Sequence, residues 1–162
     1  MSIISPINLR IKLNLLGMPA DKDYFATQHF SWQELLVKQK EIPSLQILEN
    51  ILKVAKVLEV YREFLNCPIQ ITSGWRSEKY NKSIGGASQS THIDGLAIDF
   101  IPQGQQISKV YEMLDKIHMG GLECADWIHI DLRSYIARFD EKNIILASHF
   151  DIKEHNKLFG VK

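Results

Sequence analysis

Gly95-Leu96-Ala97-Ile98-Asp99-Phe100-Ile101 is the stretch that decides how this chain is read. A short apolar run entered through a glycine has the pattern of a buried strand, and a single carboxylate, Asp99, interrupts it. A charge in such a setting needs a partner, because an isolated buried carboxylate is expensive. Two further runs have strand character: Ile69-Gln70-Ile71-Thr72, and Trp127-Ile128-His129-Ile130-Asp131-Leu132, which alternates strictly. Helical patterns lie before and between these runs. The strongest follows Pro43, with Ser44 as cap and Ile47, Ile51, Val54, Leu58, Tyr61 and Leu65 along one face, while Gln46, Glu49, Lys53, Lys56 and Glu59 form the wet side. A second spans about Ser108 to His118, with Ile107, Val110, Leu114 and Ile117 on one side, and stops at Gly120-Gly121. These patterns predict an α+β domain: a small central antiparallel sheet, with strands around Ile71, Ile98 and Ile130, flanked by helices and packed against the helix from Ser44 to Asn66.

Towards the N-terminus, Ile7, Leu9, Ile11, Leu13 and Leu15 alternate with polar residues, which predicts a half-buried strand over 7–15. Ser31 followed three residues later by Glu34 is a capping-box signature and predicts a short helix. The polar segment Arg76 to Thr91, with Gly85-Gly86, reads as irregular. Asn143 to Phe150 is apolar but of uncertain type, and a polar tail follows. No repeat or linker divides the 162 residues, so one domain over 1–162 is expected.

Composition excludes several classes of function. Nineteen basic residues balance nineteen acidic ones, so no net field draws the chain to nucleic acid or to an anionic membrane. No apolar run approaches the roughly 20 residues of a membrane-spanning helix. Arg10 and Lys12 interrupt the segment where a signal-peptide core would lie, so the chain is expected to be cytoplasmic as synthesised. Cys67 and Cys124 form no CxxC pair and are expected to be free thiols.

Chemistry-bearing side chains gather at the ends of the central strands. His92, Asp99 and His129 supply two nitrogens and one oxygen, the donor set of a catalytic zinc that takes three protein ligands and leaves one position for water. Gly95 lets the chain turn between His92 and Asp99, and the small Ala97 leaves room beside an ion. Asp131 shares the strand face of His129 and is a candidate to orient its imidazole.

Taken in order, Ser73-Gly74-Trp75-Arg76-Ser77, Asn81, Gly85-Gly86 and Ser90-Thr91-His92-Ile93-Asp94-Gly95-Leu96-Ala97-Ile98-Asp99 resemble the M15 family of zinc peptidases, the group of D-Ala-D-Ala carboxypeptidases and phage endolysins. The SxHxxGxAxD signature is matched at every fixed position, and Trp127-Ile128-His129 resembles the last ligand strand. The likeness covers roughly Phe30 to Arg133. It implies a DD-peptidase/hedgehog-like fold, Zn²⁺ on His92, Asp99 and His129, Asp126 as the catalytic carboxylate, Arg76 as the arginine that holds substrate and polarised oxygen, and Ser90 near the substrate. Glu123 lies close enough to compete with Asp126. By strand parity Asp126 faces away from His129, so it serves only if the chain turns just before Trp127.

The activity implied is cleavage of a peptidoglycan stem-peptide bond next to a D-residue, by a carboxypeptidase, a dipeptidase or an endolysin-type endopeptidase that reaches the wall after release or as part of a phage particle. The alternative from another class is a non-catalytic zinc-binding, peptidase-like module in a phage or prophage structural protein. The remaining histidines, His29, His118, His149 and His155, have no partner at ligand spacing and read as surface or capping residues. Trp75 suits a cleft wall or the core equally, and Cys124 reads as buried filler.

Overall fold

The computed structural model describes Leu13 and residues 25–36, 41–140 and 147–161. Their contacts form two compact units, one from the described residues of 1–59 and 73–97, the other from those of 60–72 and 98–161.

In the first unit, helix α1 (Trp32–Leu35) starts at Ser31, whose hydroxyl accepts from the Glu34 N–H while the Glu34 carboxylate accepts from the Ser31 N–H. This is the reciprocal capping box that the sequence predicts. Helix α2 (Leu45–Leu65) begins just after Ser44, whose hydroxyl accepts from the Ile47 N–H. Within this unit Leu48, Ile51, Val54, Ala55 and Leu58 are buried on α2, as are Phe30, Trp32 and Leu35 from the preceding segment. Glu59 is not part of a purely wet face: its carboxylate takes the Thr27 hydroxyl at 2.6 Å and the His29 N–H at 2.7 Å, and pairs with His29 Nδ1 at 2.6 Å.

The second unit carries most of a five-stranded sheet in the order β1 (Ile69–Ser73), β2 (Ala97–Pro102), β4 (Ile128–Asp131), β3 (Gly121–Cys124), β5 (Ala137–Asp140). β3 and β4 form an antiparallel hairpin in the register Gly121↔Asp131, Glu123↔His129, while β5 runs parallel to β3. The sheet is therefore mixed at that edge. Phe100, Leu122, Ile128 and Ile130 are buried along the strands. The amphipathic helix α4 (Ile107–Ile117) packs on β3 and against the C-terminal helix α5 (Ile152–Phe159). The fold is α+β with a five-stranded sheet and flanking helices.

Two sequence expectations need revision. The polar segment after Arg76 is not wholly irregular: helix α3 (Glu78–Ser83) forms there, capped by the Ser77 hydroxyl accepting from the Tyr80 N–H. The polar tail holds α5, which starts at Asp151, bonded to the N–H groups of Lys153 and Glu154, and ends at Gly160 in the left-handed region with φ of 65°. The strand expected over 7–15 lies outside the described residues except for Leu13, which is buried with a helical backbone.

Candidate metal centre

His92 is held by a ladder between residues 73–76 and 92–93. The Arg76 N–H donates to the His92 carbonyl at 3.1 Å, the Trp75 indole N–H to the Ile93 carbonyl at 2.9 Å, and the Arg76 Nε–H to the Ser73 hydroxyl at 2.9 Å. Trp75 is thus buried and structural. The His92 ring is buried, with Nδ1 2.8 Å from the Gly74 carbonyl oxygen. A carbonyl only accepts, so Nδ1 carries a proton, and in the neutral ring the lone pair that can bind a metal is on Nε2.

Two glycines of the motifs make this ladder possible. Gly74 passes so close to α1 that a Cβ would stand 2.1 Å from the Leu35 carbonyl oxygen. Gly95 has φ of 71°, and a Cβ there would stand 2.8 Å from the Ile47 carbonyl oxygen of α2. Either substitution forces backbone apart or strains it. Asn81, buried, clasps the same loop by donating to the Ala87 carbonyl at 2.8 Å.

On the sheet, β2 presents Asp99 and β4 presents His129, with His129 Nδ1 2.7 Å from Asp99 Oδ1. The far side of the ring meets Asp131, whose Oδ2 lies 3.4 Å from His129 Nε2. Burial of the ring opposes its charge, but hydrogen bonds to Asp131 and Asp99 outweigh that and push His129 up to about 9. Asp131 is desolvated too, yet its bonds to His129 and Arg133 hold its carboxyl well below the usual carboxylate range. Among the described residues His92, Asp99 and His129 form a group of potential ligands, one atom of each lying within 4.8 Å of the others.

The other residues singled out in the sequence occupy distinct places. Arg76 is half-buried beside Ser73, and Ser90 is half-buried in the turn before His92. Asp126 is exposed at the tip of the β3–β4 hairpin, where the Ala125 N–H donates to the Trp127 carbonyl at 2.9 Å. The turn that Asp126 needs just before Trp127 is present. Glu123, directly across the hairpin from His129, projects from the same face of the sheet.

The peptidase M15 family profile matches residues 28–131, a span that holds every one of these side chains. The chain belongs to the peptidase M15 family. No curated protein matches the sequence. For an M15 peptidase the donor chemistry on β2, β4 and the loop before β2 suits zinc: two imidazoles and one carboxylate.

His118 is what sequence reasoning missed. It follows α4, yet it is buried rather than a surface or capping side chain, because Tyr61 and β4 close over it. Its Nε2 lies 3.0 Å from the Asp131 carbonyl oxygen, so that nitrogen carries the proton, and Nδ1 accepts from the Tyr61 hydroxyl at 2.7 Å. Burial pushes it down from 6.5 to about 4. Between those values the unfolded chain binds the extra proton and the folded chain does not, so stability falls as pH drops from about 6.5 to about 4, by at most about 3 kcal/mol. Denaturant midpoints measured across that window are expected to vary less with pH in His118→Asn, which cannot titrate. Equal pH dependence in both proteins would remove His118 as the cause.

The other three histidines are paired locally. His29 meets Glu59, His149 Nδ1 lies 2.7 Å from Asp115 Oδ2, and His155 Nδ1 donates to the Ile117 carbonyl at 2.7 Å. Both cysteines are free, Cys67 buried and Cys124 half-buried, and burial pushes both thiols up, away from the reactive thiolate. Among the described residues no helix is long and apolar enough to cross a membrane.

Proposed function

We propose that this M15 peptidase is a zinc enzyme that cleaves peptidoglycan stem-peptide bonds next to a D-amino acid, with His92, Asp99 and His129 as the metal ligands. The observation that carries the reading is the hold on His92: its Nδ1–H is donated to the Gly74 carbonyl, which fixes the tautomer and orientation of the ring, as expected of a metal-binding imidazole. The 4.8 Å grouping of one donor atom from each residue supports it further. A bound zinc supplies Lewis acidity, polarising the scissile carbonyl and making the attacking water a stronger acid.

The chain's own residues do the rest. Asp126 takes the proton of the attacking water and returns it to the leaving amine. Arg76, its Nε–H donating to Ser73, supplies the guanidinium that meets a substrate carboxylate or the oxygen that gains charge. Ser90 lines the substrate. In this reading the protein acts on the wall after release from the cell or as part of a phage particle.

The test is metal analysis of the purified protein combined with digestion of purified cell walls, with and without chelator, and mass spectrometry of the released peptides. The expected result is one zinc per chain, chelator-sensitive release of peptides ending at a D-residue, and loss of zinc in His129→Ala. Wild-type zinc content in His129→Ala would overturn the ligand set. Stoichiometric zinc with no cleavage of walls or of D-Ala-D-Ala peptides would make the chain a binding module instead.

A further inference from the structure

Asp131 is fixed more firmly than an ordinary strand residue. It is fully buried at the end of β4. Its Oδ1 accepts from the Gly121 N–H at 3.0 Å and the Arg133 N–H at 3.1 Å, and the Arg133 Nε–H donates to Oδ1 at 2.7 Å and Oδ2 at 2.9 Å. Arg133 Nη2 pairs with Oδ2 as well. Arg133 is itself held by the rings of Tyr135 and Phe139, 5.4 Å and 5.0 Å from its guanidinium carbon. The main chain is anchored too, since the Asp131 carbonyl accepts from His118 Nε2.

The cradle is shaped for a carboxylate in this one position. Gly121 stands opposite Asp131 in the hairpin, and a Cβ there would lie 2.4 Å from Oδ2 and 2.7 Å from the carboxyl carbon. The hairpin thus leaves a side chain out at Gly121 and fills the space with the Asp131 carboxylate. Oδ2 faces His129 Nε2 as well as Arg133. The opposite nitrogen, Nδ1, faces Asp99 Oδ1 at 2.7 Å. One edge of the imidazole is therefore directed to an immobile acceptor and the other to a second potential ligand.

We propose that Asp131 is a positioning residue: it holds the Nε2–H of His129 and so commits Nδ1 to the metal, with Arg133 and Gly121 keeping the carboxylate in place. The proposal rests on the zinc reading above. Its physical basis is general, because a carboxylate behind a ligand imidazole fixes tautomer and ring orientation and raises the basicity of the ligating nitrogen. A purely structural Asp131 would be served by its Gly121 and Arg133 partners, and nothing would then depend on which nitrogen of His129 it faces.

Two measurements separate these roles. In the zinc-loaded wild-type protein, long-range ¹H–¹⁵N spectra of the His129 ring are expected to show a proton on Nε2 and none on Nδ1; a protonated Nδ1 overturns the proposal and needs no variant. In Asp131→Asn, which is nearly isosteric, zinc affinity measured by chelator competition is expected to fall about 10- to 100-fold. Circular dichroism of the metal-free variant verifies its fold, and affinity within two-fold of wild type in a folded variant overturns the proposal. If the variant does not fold, the wild-type spectra alone decide. A wild-type protein that binds no zinc rejects the metal reading itself, a result distinct from zinc bound through Nε2.

Discussion

Asp126→Asn is expected to bind zinc as the wild type does and to lose peptide cleavage by about 10²- to 10⁴-fold, the usual contribution of a general base. The substitution keeps size and most polar contacts and removes only the ability to take a proton. Its position favours the role: Asp126 sits in the turn between Cys124 and Ile128, just ahead of the strand that carries His129, and is open to solvent. The rival is Glu123, which faces the same side of the sheet as His129 through the register Glu123↔His129. Glu123 lies within β3, three positions further back along the chain, whereas Asp126 stands in the turn directly ahead of the ligand strand. Glu123→Gln is therefore expected to stay within a few-fold of wild type. Rates with a D-residue peptide, measured at matched zinc content, decide the matter. The opposite pattern transfers the role to Glu123, and full activity in both variants removes carboxylate base catalysis from the mechanism.

Much of the site is legible because its residues lie in short motifs whose constraints are local. The glycines of Ser73-Gly74-Trp75-Arg76 and of His92-Ile93-Asp94-Gly95 mark close approaches to Leu35 and Ile47, and the structure shows these as distances no Cβ tolerates. Helices α2 and α4 are equally plain, since long periodic faces outweigh local ambiguity. What the sequence hides depends on partners far apart along the chain. β5 is four residues long and pairs parallel with β3, and nothing in Ala137-Arg138-Phe139-Asp140 announces that neighbour. α5 reads as a polar tail because Ile152, His155 and Phe159 form only a thin apolar stripe, yet Phe159 reaches Tyr61, the ring centroids 6.0 Å apart, and His155 reaches Ile117. His118 looks like a helix-end residue until Tyr61, distant in sequence, closes over it.

Arg138 is the furthest from view in the sequence, and its replacement is expected to carry the largest cost in stability. Its side chain is fully buried. It pairs with Asp115 through Nε and donates to the carbonyls of Gly120 at 2.9 Å, Ala137 at 3.0 Å, Asp115 at 2.9 Å and His118 at 2.8 Å. One guanidinium thus joins the end of α4, the turn before β3 and the strand β5. Desolvation alone would raise the Asp115 carboxyl, but the bonds from Arg138 and then His149 outweigh it and hold it below the ordinary value. Arg138→Met keeps the length and apolar stem while leaving a buried carboxylate and several carbonyls short of donors. Breaking one side of a buried pair in this way costs about 3 to 5 kcal/mol. For a chain of this size that corresponds to a fall in melting temperature of roughly 10 °C or more. The double variant Arg138→Met with Asp115→Leu removes the stranded charge, so it is expected to recover much of the loss, though the carbonyls still lack donors. Thermal melts of the wild type, both single variants and the double variant form the complete cycle. A single Arg138→Met variant as stable as wild type would show that the network is balanced by water rather than by the pair, and additive losses in the cycle would show that Arg138 acts through the carbonyls and not through Asp115.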